Sequence, residues 1–351
     1  MELSVQRSVS FFVSDMIQLQ GIQKTYSRDI TALDRVDLQI PRGNIIGIIG
    51  ANGSGKSTLL KTIAGRLKPD RGKISVLGYD VFQNAPLLKA KISYISQDKA
   101  LDPEMTGKEL LNYFAALYGF TRKAADSKIS YLTRDFSMEQ FIHRKVQSYS
   151  GGQKQRLHLA IGVIHEPELL LLDEPGGALD PEGKLLIWNF ICSYQKLGNT
   201  VVVVEHDLEK ISQYCTQVVL LNNGQIVAHA PPDNIIRQYS KPLLQITTLQ
   251  KLDSMSSLTQ LLKQQWPNVS FHFKDKRATL NFFAISDQDK PAIMLKLLQF
   301  FYANSIVVTE CHWQEPGLGA AYFQLTGKKA NGTTTSQNKQ KRQGRKKART
   351  H

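Results

Sequence analysis

Cysteine is scarce: the 351 residues hold three, Cys192, Cys215 and Cys311, at no paired or metal-ligand spacing. That excludes a disulfide scaffold and points to a reducing cytosol. Long apolar runs are missing as well. No stretch of about 18 apolar residues occurs, so no segment reads as a membrane span. The "VSFFV" patch near the start is too short for a secretory core, and residues 1–15 read either as an extension, of the kind that is disordered, or as a misplaced start before a strand that opens at Met16. Acidic residues are absent from Lys328 onward, where nine of the chain's 44 Lys and Arg gather. Everything before that point carries 35 basic against 30 acidic residues, so the net charge of +14 falls to +5 once the tail is set aside. The tail, residues 328–351, is polar and rich in Gly, Thr, Ser and Gln, the composition of a disordered segment.

What is present is enough apolar content, 42%, to bury a core in one large and one small domain. The strongest local signal is "IIGIIGANGSGKSTLLKTIAG". Ile45 to Ile49 form a short apolar strand, and Leu59, Leu60 and Ile63 continue beyond it at helical spacing. Between them Gly50, Ala51, Asn52, Gly53, Ser54, Gly55, Lys56 and Ser57 satisfy G-x-x-x-x-G-K-[ST], followed by Thr58. Glycine-rich backbone exposes N–H groups that cradle phosphates, and the helix N-terminus adds positive potential. Lys56 reaches the outer phosphates and Ser57 ligates Mg2+. A bound nucleotide, ATP with Mg2+, is therefore expected.

Two further apolar strands end in polar residues. "ELLLLDEP" delivers Asp173 and Glu174, and ligands of open α/β sheets sit at the carboxyl ends of strands. Asp173 is expected to hold Mg2+, and Glu174 to polarise the attacking water. A solvated Asp-Glu-Pro turn is the plain alternative. "TVVVVEHD" delivers His206 in the same manner, as a contact to the γ-phosphate or as an ordinary strand-end histidine. Upstream, "YSGGQKQR" sets two glycines where a helix begins. Ser150 and Gln153 fit a capping box, and Leu157, Ala160, Ile161 and Ile164 suggest an amphipathic helix. Each glycine costs a helix roughly 1 kcal/mol relative to alanine, so Gly151 and Gly152 need a reason such as close approach by another group.

In this order the motifs resemble the nucleotide-binding domain of ATP-binding cassette (ABC) transporters, over residues 16 to 240. The resemblance implies an α/β fold, a P-loop NTPase cassette with a core sheet and a helical subdomain at about 98–150. It implies that Tyr26 stacks on adenine and that Gln97, in "ISYISQD", touches Mg2+ or water. It identifies Ser150, Gly151, Gly152 and Gln153 as the signature, Asp180 as the D-loop acid and His206 as the switch histidine. Two cassettes of the family pack head to tail, each signature capping the ATP on the other's P-loop. One P-loop and one signature in this chain thus imply a second copy of itself, or a related cassette, as partner. The family also implies a separate transmembrane permease, docking near Gln97 and the helical subdomain, and a peripheral position on the cytoplasmic face of the membrane. Three departures stand out. Tyr149 replaces the usual leucine before the signature serine. Gly176 and Gly177 stand where a Ser or Thr and another small residue precede the D-loop, and Glu205 replaces a common Ser or Thr before the histidine.

In "TGKELLNYFAALYGF" the spacing groups Leu110, Leu111, Phe114, Leu117 and Tyr118 on one apolar face. Residues 241–327 read as strand 243–248, helix 254–265, strands 269–274 and 277–283, helix 288–304, strand 306–311 and helix 317–325. That is a small α+β domain of ferredoxin-like βαββαβ order with an added helix. His272, Cys311 and His312 read there as ordinary structural residues. The end, "GLGAAYFQLTG", resembles the close of drug- and antibiotic-exporter ATPases, with Gly319 and Ala320 in place of two acids. The leading expectation is an ATPase subunit of an exporter. The alternatives are a soluble cassette ATPase on ribosomes or nucleic acid, and a non-hydrolysing nucleotide-binding scaffold. The basic tail reads either as a contact for anionic lipid or nucleic acid or as a plainly solvated segment.

Overall fold

Alternation opens the chain: in β2 (Ile30–Pro41), antiparallel to β1 (Asp15–Ser27), Leu33, Val36, Leu38 and Ile40 turn inward while residues between them face solvent. The protein is described by a computed structural model covering residues 15–27, 30–97, 101–177, 179–240, 243–250, 256–266, 269–274, 276–282, 288–314 and 317–326. The N-terminal extension expected up to residue 15 lies outside these residues apart from Asp15 itself, and the basic tail lies outside them entirely.

After β2 the pattern changes. β3 (Ile45–Ile49) is buried at every position and leads through the glycine loop into α1 (Lys56–Ile63). β4 (Arg71–Val76) and β5 (Tyr79–Asp80) complete a four-stranded antiparallel sheet of order β2-β1-β4-β5. A short α2 (Ala85–Lys89) precedes β6 (Ile92–Ile95). Two helices then follow, α3 (Gly107–Leu117) and α4 (Arg122–Asp135), capped by Thr106 and Thr121, and a single turn at Val146–Ser148 leads to α5 (Gly151–Val163).

β7 (Leu169–Asp173), α6 (Pro181–Lys196), β8 (Thr200–Val204), α7 (Leu208–Tyr214), β9 (Gln217–Asn222) and β10 (Gln225–Ala230) follow in turn. The second sheet has order β10-β9-β3-β8-β7-β6 and is parallel except for β10. Every residue of β3, β7 and β8 is buried. Parallel strands covered on both faces need unbroken apolar runs, which is why "LLLLD" and "TVVVV" do not alternate.

Two expectations about helix faces change. Gly107, Leu110, Leu111 and Ala115 are the buried positions of α3, whereas Leu117 is 63% and Tyr118 41% exposed. The apolar spacing thus runs past the buried seam onto the surface. In α5, burial takes in Gln155, Leu157, Leu159, Ala160, Ile161 and Val163, positions that point to several sides. It is an enclosed helix, not an amphipathic one.

The chain divides into two compact units at Pro232/Asp233. The second holds α8 (Pro232–Tyr239) from its second residue onward, then β11 (Leu243–Thr248), α9 (Ser256–Gln265), β12 (Val269–Lys274), β13 (Arg277–Phe282), α10 (Lys290–Ala303), β14 (Val308–Gln314) and α11 (Leu318–Thr326). Its antiparallel sheet has order β12-β13-β11-β14, the arrangement a βαββαβ unit produces when each helix carries the chain past one strand. Leu244, Ile246, Leu262, Leu280, Leu297, Phe301 and Ile306 form its core. β14 starts and ends later than the spacing predicts. Val307 bonds to Leu249 and Gln250 across a loop, while pairing with β11 continues to Trp313 and Gln314. Among the described residues no helix is long and apolar enough to cross a membrane.

Candidate functional site

The carboxyl ends of β3, β6, β7 and β8 lie side by side, because these four strands are parallel members of one sheet. That topology gathers residues spread from Gly50 to His206.

At the end of β3 the chain turns through Gly50–Gly55. Gly53 and Gly55 hold φ of 80° and 105°, in the left-handed region that favours glycine. A Cβ on Gly50 would strike Leu221 O and the Ser54 hydroxyl, and one on Gly55 would strike Ala32 O. Gly50 and Gly55 therefore lack side chains by steric necessity. Ser54 Oγ is buried there without a hydrogen-bond partner. Lys56 is 6% exposed, and its ammonium donates to Gly50 O at 2.9 Å and Ala51 O at 3.1 Å. Burial lowers its pKa, and the charges of Glu174 and Asp173 oppose that shift. A cation folded onto carbonyls, an orphaned hydroxyl and a glycine-rich cradle together fit a phosphate chain. Thr58 is buried in the next turn; its hydroxyl lies 3.2 Å from the Tyr26 hydroxyl, and the Tyr26 ring is 55% exposed at the end of β1. Asn52 and Gly53 face solvent.

Asp173 ends β7, one residue before Glu174. The Ser57 hydroxyl donates to Asp173 Oδ1 at 3.2 Å, and the Tyr94 hydroxyl donates to Oδ2 at 3.2 Å. Ser57, Asp173 and the nearby Gln97 amide are hard oxygen donors of the kind Mg2+ takes. Glu174 stands at φ 53°, a strained value for a non-glycine residue, and its backbone N–H donates to Val204 O at 3.0 Å. Its carboxylate is gripped from both sides: Oε1 lies 2.7 Å from His206 Nε2, and Oε2 accepts from Gln97 Nε2 at 3.2 Å. Both Glu174 and His206 side chains remain about one quarter exposed, at 25% and 26%, so water reaches the pair.

The signature lies at the head of α5. Ser150 Oγ accepts from Gln153 N at 3.2 Å, Gln153 Oε1 accepts from Ser150 N at 3.0 Å, and Arg144 also donates to Gln153. These bonds form the capping box within the segment and do not reach the P-loop of the same chain. Gly151 is exposed and Gly152 half-buried. A Cβ on Gly152 would come 3.2 Å from Leu179 Cδ2, so the second glycine also has a packing reason within its own chain. Tyr149 is buried and its hydroxyl donates to Phe141 O at 2.6 Å, tying the segment to the helices before it. Asp180 is exposed and caps α6, accepting from Gly183 N at 2.9 Å.

Two contacts escaped the sequence reading. Tyr94 bonds Asp173, and its only sequence signal was a place in the strand before Gln97. Glu205 accepts the His206 N–H at 2.8 Å.

The profile of the ABC transporter family matches residues 33–177. The chain is 35% identical over 219 residues to the daunorubicin resistance ATP-binding protein DrrA3 of Streptomyces coeruleorubidus, covering 62% of this chain and 69% of that protein. It is 27% identical over 322 residues to the daunorubicin/doxorubicin resistance ATP-binding protein DrrA of Streptomyces peucetius, covering 92% and 95%. A solved dimeric ATP-binding cassette in a post-hydrolysis state, bound to ADP and phosphate, is similar over 62% of this chain and 98% of its own, with TM-score 0.57 and 27% identity.

Proposed function

Because the chain belongs to the ABC transporter family and is an ATPase of that family, we propose that it powers a separate permease, as one half of a head-to-tail dimer, in export. The observation that carries this reading is the Glu174 carboxylate held between His206 and Gln97, beside a P-loop whose lysine is already turned inward. On this reading residues 16–240 make up the cassette, with a helical subdomain at about 98–150, and residues 241–327 form an accessory domain.

ATP lies along Gly50–Thr58 with its adenine against Tyr26. Lys56 neutralises the outer phosphates, and loop N–H groups hold the rest. Ser57, Asp173 and Gln97 would hold Mg2+, which supplies charge neutralisation and orientation of the phosphates. Glu174 takes the proton of the attacking water, and His206 keeps that carboxylate aimed. The signature, Ser150, Gly151, Gly152 and Gln153, turns outward to cap the nucleotide on a partner copy, and Asp180 joins the same interface. The dimeric relative supports this arrangement. The exposed side chains of Tyr113, Leu117 and Tyr118 on and beside α3 support docking of a membrane subunit from the cytoplasmic face. The drug-resistance names of the relatives support export.

Purified chain should release phosphate from ATP with Mg2+, faster when reconstituted in vesicles with its multispan permease partner, to be sought first among the products of neighbouring genes. Leu117→Glu should remove that stimulation and leave the rate of the chain alone unchanged. A rate indifferent to both the membrane protein and Leu117→Glu would count against a permease partner.

A further inference from the structure

Two departures from the family pattern meet in the fold. Gly176 lies two residues beyond Glu174 at the end of β7, and Glu205 follows the neighbouring parallel strand β8. A Cβ on Gly176 would sit 3.2 Å from Glu205 Oε2 and 3.6 Å from Lys184 Cγ of α6. The Ser or Thr usual at that place would thus compete for the space the carboxylate occupies. The other carboxylate oxygen, Oε1, accepts the backbone N–H of His206 at 2.8 Å and of Asp207 at 3.4 Å. Asp207 in turn caps α7 by accepting from Lys210 N at 3.2 Å. One side chain therefore spans from the turn that carries Glu174 to the loop that carries His206. Its burial raises its pKa along with the charge of Asp207, against the two N–H donors and Lys184.

We propose that Glu205 is a positioning residue: lodged in the space left by Gly176, it braces the His206 backbone against the turn after Glu174, so that the two departures are one structural solution. The proposal rests on the reading of Glu174 and His206 as the hydrolytic pair. It makes a definite statement about coupling, because residues that share one space do not act independently.

The test is a four-cornered cycle in the full chain, with Gly176→Thr, Glu205→Thr and the double variant, measuring kcat and KM for ATP with Mg2+. Each single change should lower kcat by about tenfold while KM moves less than about threefold, since the nucleotide cradle is untouched. The double variant restores small hydroxyl residues at both positions and should also lie about tenfold below the parent, against the roughly hundredfold that independent effects would give. A hundredfold loss, or singles without effect on kcat, would overturn the brace. If Gly176→Thr fails to fold, Glu205→Gln, which keeps an acceptor of the same shape, should retain more kcat than Glu205→Ala; equal losses would overturn it as well. His206→Ala measured alongside separates the two levels. If that variant keeps the parental kcat, the underlying pair is misassigned; if it is dead while the cycle is multiplicative, only the brace is wrong.

Discussion

Replacing Glu174 by Gln changes one atom of the site and leaves its shape. The structure indicates what is kept. His206 Nε2 sits 2.7 Å and Gln97 Nε2 3.2 Å from the carboxylate oxygens. An amide preserves both contacts if its oxygen faces Gln97 and its NH2 meets the other imidazole tautomer, which costs little. What is lost is the proton acceptor. General-base catalysis contributes about 10² to 10⁴ in rate, or about 3–5 kcal/mol in barrier at 1.36 kcal/mol per tenfold. Nucleotide binding should hold or tighten slightly, because a negative charge near the phosphates is gone while Lys56 still feels Asp173. The assay is single-turnover hydrolysis with protein in excess of ATP, paired with a nucleotide titration. A hydrolysis rate within tenfold of the parent at unchanged affinity would refute the general-base assignment.

Tyr94→Phe deletes the hydroxyl that donates to Asp173 Oδ2 at 3.2 Å. At that length the bond is worth about 1.5 kcal/mol, the low end for a charged acceptor, so the Mg2+ concentration for half-maximal ATPase should rise roughly tenfold with kcat at saturating Mg2+ preserved; an unmoved Mg2+ midpoint would contradict the contact. Burial raises the pKa of Glu205 above its ordinary 4.5, so from about pH 4.5 upward the unfolded chain ionises before the folded one does, and this group costs stability as pH rises until its folded pKa is passed. The melting temperature of Glu205→Gln relative to the parent should accordingly climb between mildly acidic and neutral pH and then level off, and a flat or falling difference would show that the carboxyl is not held in a buried site.

The nucleotide cradle was legible because its chemistry constrains closely spaced residues: glycine at positions 50, 53 and 55, then Lys56 and Ser57. Asp173, Glu174 and His206 were legible for a related reason, each standing at the end of an unbroken apolar run that only a doubly covered strand requires. Sheet order was not legible, since β3 pairs with β8 and β9, strands more than 150 residues away in sequence, and no local pattern encodes that choice. Leu117 and Tyr118 match the helical spacing of α3 yet face outward, because spacing names a stripe and says nothing of where its cover ends. The encounter of Gly176 with Glu205 was hidden for the same reason as the sheet order. Each looked like an isolated departure until the fold set them against each other. Gly152 adds a qualification of another kind, as its missing side chain answers both to Leu179 in its own chain and, on our reading, to a phosphate from another.

The central claim is that each ATP is capped by the signature of a second copy, and mixing two dead variants tests it. Lys56→Ala removes the charge on the phosphates, and Ser150→Arg fills the space in front of the signature; each alone should give dimers with two disabled sites. In a mixed dimer both defects fall in one site, and the other combines an intact Lys56 with an intact signature. Random mixing makes about half the dimers mixed and leaves roughly a quarter of all sites whole. Coexpressing the two variants, in the presence of the membrane subunit, should therefore restore a fraction of the ATPase activity that neither shows alone. Mixed dimers confirmed by differential tagging that stay as inactive as both parents would contradict the account.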